Sequence, residues 1–193
     1  MSKTIALGSL AGVGGTGVLG YGAYTMMQPS NVKEVLIKNN FKLTSDLSGT
    51  ALSDAWTKVL ETYKVEATSD TKIREEEITS KDIEEWCLSS LKVKVNDKHY
   101  ESTYSKASKW CVIYTTISEK LKSENKAIST NDTNLKSKYD SMPEHLKTSI
   151  LNGADSNKAG EKTKEWCGQN SKRSFLGSHD THYQNLISYC LAV

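Results

Sequence analysis

The sequence predicts a mainly α protein, with one N-terminal transmembrane helix followed by a helical bundle made of two divergent copies of a small helical unit. Three observations carry this expectation. From Thr4 to Val32 the chain holds no Asp, Glu, Lys, Arg or His, and charge resumes only at Lys33. Beyond that point apolar residues recur at helical spacing, with almost no strand alternation. Four cysteines, each preceded by an aromatic residue, fall into two similarly spaced pairs.

The first element is the leader, residues 1–32. Thr4 to Met27 as a helix at ~1.5 Å per residue would be about 36 Å long. A hydrocarbon core of ~30 Å needs roughly 20 residues, so the segment is long enough to span once. Seven glycines between Gly8 and Gly22 would melt such a helix in water. In lipid the backbone groups must pair within the segment, which keeps it helical. Gly8, Gly12, Thr16 and Gly20 fall on one ridge at spacing four, a small-residue pattern that lets two membrane helices approach. Gly20-Tyr21-Gly22 is a poor signal-peptide cleavage site, and the first cysteine is Cys87, so there is no lipobox. An uncleaved anchor is expected, with Lys3 on the inner side and the body outside. The run Gly12-Val13-Gly14-Gly15-Thr16-Gly17 also matches a dinucleotide fingerprint, in which Gly12, Gly14 and Gly17 would approach a pyrophosphate and Glu34 a ribose. That reading needs a strand before the turn and a βαβ unit around it. The uncharged run and the absence of strand–helix alternation downstream argue against it.

The body divides into units 33–124 and 125–193, enough chain for one domain or two small ones. Hydrophobic residues make up 37% and charged residues 25%, which permits a modest core. Net charge is +2, and only Arg74 and Arg173 are arginine, so no basic, fork-donating surface for nucleic acid is expected. In chain order, Trp56, Val59, Leu60 and Tyr63 form the first stripe, with Ser53 or Asp54 as its cap. Ile83, Trp86, Cys87 and Leu91 form the second, opened by a capping box at Thr79-x-x-Asp82. Tyr100, Tyr104, Ala107 and Cys111 form a third, overlapping a fourth of Trp110, Tyr114, Ile117 and Leu121. Leu91 to Val95 alternates like a short strand, although helix continuation or a loop fits equally well. Pro143 suits the first turn of a short helix closed by Asn152-Gly153. Two last stripes follow: Ala159, Thr163, Trp166 and Cys167, then Tyr183, Leu186, Ile187, Cys190 and Leu191.

The cysteine steps suggest a unit written twice. Cys87 and Cys111 are 24 residues apart, and Cys167 and Cys190 are 23 apart. A His-Tyr step lies inside each pair, at His99-Tyr100 and His182-Tyr183, and Tyr63 and Tyr139 precede Trp86 and Trp166. Trp56 has no aromatic counterpart, since Asp132 holds the matching offset. In an extracytoplasmic body the natural disulfides are Cys87–Cys111 and Cys167–Cys190, each stabilising its unit by about 3 kcal/mol. In a reducing compartment the four would be buried thiols. Zinc is disfavoured because no close Cys or His pair has ligand spacing near a second one.

Nothing points to catalysis or to a cofactor. The tryptophans sit at core spacing. His99, His145, His179 and His182 are expected to be solvated or capping, and Asp180 has no nucleophile in an elbow motif nearby. Arg74-Glu75-Glu76-Glu77 is expected on the surface.

Met1-Ser2-Lys3 with its glycine-rich leader, the Trp56…Tyr63 helix, and the tail Glu165-Trp166-Cys167…Phe175-Leu176-Gly177…Asn185…Tyr189-Cys190 resemble the paralogous, lineage-restricted protein families of haemotropic mycoplasmas, wall-less bacteria that live on red blood cells. The resemblance spans most of the chain at scattered positions, and is most specific in the tail. Asp132 departs from its pattern, where a tryptophan is expected. It implies a surface or secreted protein without assigned enzymatic activity, with host-surface or immune molecules as partners. The expectation is therefore a single-pass membrane protein with an extracellular body, non-catalytic, serving host contact or antigenic variation. The competing expectation is a secreted enzyme whose site is scattered in sequence.

Overall fold

Helix signals dominate the computed structural model, which describes residues 28–192. The elements are α1 (Val32–Lys38), α2 (Gly49–Glu66), α3 (Ser80–Ser90), α4 (Tyr100–Trp110), α5 (Ile117–Ser123), α6 (Asp132–Asp140), α7 (Glu144–Leu151), α8 (Ala159–Ser171) and α9 (Thr181–Tyr189), with 3-10 turns at Thr44–Asp46 and Ser156–Lys158. Among the described residues β pairing is confined to four isolated antiparallel bridges. No helix among them is long and apolar enough to cross a membrane. The expected anchor, its ridge of Gly8, Gly12, Thr16 and Gly20, and the glycine run through Gly14 and Gly17 lie outside the described residues.

Local chemistry sets the helix starts. Thr79 and Asp82 cap α3 reciprocally, as the sequence predicts, and Thr116 and Glu119 do the same for α5. Asn31 caps α1 through the Glu34 amide at 3.0 Å. Three expectations need correction. α2 begins at Gly49, ahead of Ser53 and Asp54, because Gly49 (φ +58) turns the chain directly into the helix. The stripe Trp110–Tyr114–Ile117–Leu121 is not one helix: α4 stops at Trp110, and Val112 turns aside to bridge Leu43. Pro143 sits just before α7, whose end is turned by Asn152 in the left-handed region, as expected.

The two halves repeat the same backbone pattern. In the first, Asn31 bridges Lys94, seven residues past Cys87, and Leu43 bridges Val112, the residue after Cys111. In the second, Thr116 bridges Ser174, seven residues past Cys167, and Ile128 bridges Leu191, the residue after Cys190. The hydrogen bonds match as well. Val32 N donates to Val93 O (2.9 Å) and Ile117 N to Arg173 O (2.9 Å); Thr44 N donates to Cys111 O (3.0 Å) and Ser129 N to Cys190 O (2.8 Å). α1 and α5 are each followed by an asparagine at positive φ, Asn40 and Asn125. In this register Tyr104 answers Tyr183, each seven residues before its unit's second cysteine, so the two His-Tyr steps are not equivalent.

Each half has its own core. The first gathers Val32, Leu36, Leu43, Trp56, Val59, Tyr63, Ile83, Cys87, Trp110 and Cys111. The second gathers Ile117, Leu121, Leu135, Cys167, Tyr183, Leu186 and Cys190. α5, placed by the sequence in unit 33–124, thus packs with the second core, and the cores part between Val112 and Ile117. A third cluster of Tyr139, Met142, Ile150 and Ala159 lies under α7, where the first half has a loop in place of a helix. α6 and α8 pack so closely that a Cβ on Gly160 would lie 2.2 Å from the Asp132 carbonyl oxygen. That approach occupies the position matching Trp56, and the exposed Asp132 side chain pairs instead with Lys164 at 2.7 Å.

Candidate functional site

The four cysteines come together in the pairs their spacing predicts. Cys87 and Cys111 have sulfurs 2.03 Å apart and Cα atoms 5.5 Å apart; for Cys167 and Cys190 the values are 1.99 and 5.7 Å. Both pairs are fully buried. Each ties the helix before a bridged segment to the end of the next helix, closing the unit near its bridged entry and exit segments.

An open concavity shared by both units runs along α2. It is an open groove of about 430 Å³ bordered by Asp54, Lys58, Glu61, Thr62, Ser171 and Lys172. α2 supplies its wall because Thr62, on the edge of its buried stripe, turns toward the end of α8: its hydroxyl donates to Lys172 O at 2.8 Å. Lys58 donates to Tyr114 O (2.8 Å) and pairs with Glu119 (3.1 Å), Lys172 pairs with Glu61 (3.0 Å), and Glu66 accepts from Ser174 N (2.6 Å) while pairing with Lys109 (3.1 Å). The charged groups along the groove are therefore largely spent on one another as the joint between the units. Burial pushes the Glu119 carboxyl up, but hydrogen bonds from Thr116 and Lys58 together with the Lys58 charge outweigh it and hold the group below its usual range. Burial holds the Tyr114 phenol far above its ordinary value, so it stays neutral. A smaller adjoining hollow of about 310 Å³ includes Thr44, whose buried hydroxyl has no hydrogen-bond partner among the described residues.

The other sequence candidates resolve into structural roles. Asp180, between His179 and His182, caps α9 by accepting from Tyr183 N at 3.0 Å. His182 is half-buried, and burial together with Arg173 pushes its imidazole below the ordinary value. His99 precedes α4, and His145 and His179 are exposed. Among the described residues no group of three or more His, Cys, Asp or Glu could hold a metal ion. Arg74 pairs with Asp82, while Glu75, Glu76 and Glu77 are exposed. Sequence reasoning missed the inter-unit joint, and no local signal marks it: Thr62 and Lys172 lie 110 residues apart.

Comparison with protein-family models, with curated proteins and with solved structures returned no match.

Proposed function

We propose that this chain is a membrane-anchored display protein without catalytic activity: an N-terminal span carries two disulfide-closed copies of one helical unit outside the cell, for host contact or antigenic variation. The observation that carries the reading is the repeated frame. Four bridges, two disulfides and two asparagine-terminated helices recur at matched positions, while other matched positions carry different residues, as Lys94 and Ser174 do. That division suits duplication followed by divergence of the exposed residues. Two buried cysteine pairs suit an oxidising exterior. The uncharged run from Thr4 to Val32 supplies the span, with host-surface or immune molecules as partners of the body. The self-paired charges along α2 support a joint more than a reaction centre, because they leave few groups free to converge on a substrate.

Protease treatment of intact cells tests it. Digestion of the body with a protected fragment containing Thr4–Met27 is expected. A body that resists until the cells are lysed contradicts the reading.

A further inference from the structure

We infer that the face of the first unit around Lys92 and Lys94 lies on an anionic lipid surface. The argument starts from the repeat. In the second unit, the matching face is covered by α2, which reaches Glu119, Lys172 and Ser174 with Lys58, Glu61, Thr62 and Glu66. The register of the bridges assigns these three positions to Glu34, Lys92 and Lys94 in the first unit. All three are exposed there, and no described element covers them. The frame that requires a partner in one copy stands open in the other.

The chemistry of the open face selects the partner. Lys33, Lys92, Lys94 and Lys98 are exposed, and among the described residues none forms an ion pair. The acidic groups between them, Glu34 and Asp97, keep their charge while accepting from Ser30 N at 2.6 Å and His99 N at 2.8 Å, but the four lysines outnumber them and leave the face cationic. Two apolar side chains stand out beside the lysines, Val95 at 41% exposure and Ile37 at 49%, the latter one helical turn from Lys33. The chain also enters the unit here, with Val95 N donating to Ser30 O at 3.1 Å, where the uncharged run ends. This inference rests on the membrane-anchor reading, which would hold the face at the headgroups. Lysines at that depth are attracted by anionic lipid, and their apolar neighbours can enter the interface.

The test uses the full chain, reconstituted into vesicles of phosphatidylcholine alone or with a third of the lipid replaced by phosphatidylglycerol. Vesicles are floated, and lysines are modified briefly with a membrane-impermeant amine reagent and mapped by mass spectrometry. Lys64 and Lys158, exposed on other elements, serve as internal standards. Relative to them, Lys33, Lys92 and Lys94 are expected to react about tenfold more slowly on the anionic vesicles than on phosphatidylcholine, and concentrated salt should erase the difference. Lys92→Glu/Lys94→Glu should remove it while the protein still floats. Equal reactivity on both vesicles with flotation intact overturns the inference and leaves the anchor standing. Slow reaction on both vesicle types, or slowing that follows protein density, means protein covers the face and also overturns it. Failure to float defeats the anchor and this inference together.

Discussion

Gly160 and Gly168 lie in the same helix and carry opposite constraints. A Cβ on Gly160 would meet the Asp132 backbone oxygen at 2.2 Å, whereas one on Gly168 would meet nothing within 4 Å. Gly160→Ala should therefore force α6 and α8 apart and cost about 2 kcal/mol, the scale of overpacking. Gly168→Ala should stabilise by about 0.5–1 kcal/mol through helix propensity alone. Denaturant titration of both variants checks the signs. A second residue-scale prediction concerns acid. Glu124 accepts from Lys126 (2.7 Å), Tyr183 (2.7 Å) and Lys120 (2.9 Å), which hold its carboxyl at about 2 against an ordinary 4.5. A depressed carboxylate contributes stability above its unfolded value, and that contribution is lost as pH falls through the folded value. Its share of stability should fade between about 4.5 and about 2, and Glu124→Gln should flatten the pH dependence of the unfolding midpoint in that window.

At the scale of elements, each disulfide belongs to one core, so their removals should act locally. Cys87→Ala/Cys111→Ala is expected to cost the first unit about 3 kcal/mol, and hydrogen exchange should rise in α3 and α4 well before α8 and α9. Thr62 works differently. It is fully buried, and its hydroxyl is spent across the joint on Lys172 O. Thr62→Val should leave both cores intact, cost about 1 kcal/mol, and separate the two units' unfolding transitions in calorimetry. The elements also show what was readable in advance. The capping box of α3, the left-handed stop at Asn152 and the disulfide pairs were legible because each is set by nearby residues or by a cysteine spacing. The break after Trp110 was not, because Tyr114, Ile117 and Leu121 continue a helical period while Val112 is captured by a distant bridge to Leu43. The start of α2 was hidden for a similar reason: Gly49 to Ala55 lack the stripe that marks its later turns.

For the whole molecule, the repeat was visible in the cysteines but its register was not. Matching the His-Tyr steps places Tyr100 opposite Tyr183, whereas the structure sets Tyr104 there. Tyr104 accepts from Asn39 at 2.8 Å, and Tyr183 donates to Glu124 at 2.7 Å, so each joins its α4-type helix to the turn after its α1-type helix. The inter-unit joint was invisible because it is made of contacts between distant segments with no common motif. Both gaps have one cause: pairings between segments far apart in sequence leave no local period. Intact cells shaved with trypsin, with an alkylating agent present from the start, test the central claim most directly. The account predicts that the released, non-reduced peptides link Cys87 to Cys111 and Cys167 to Cys190, with no alkylated cysteine among them. Release only after lysis, or alkylated thiols at those positions, would contradict it.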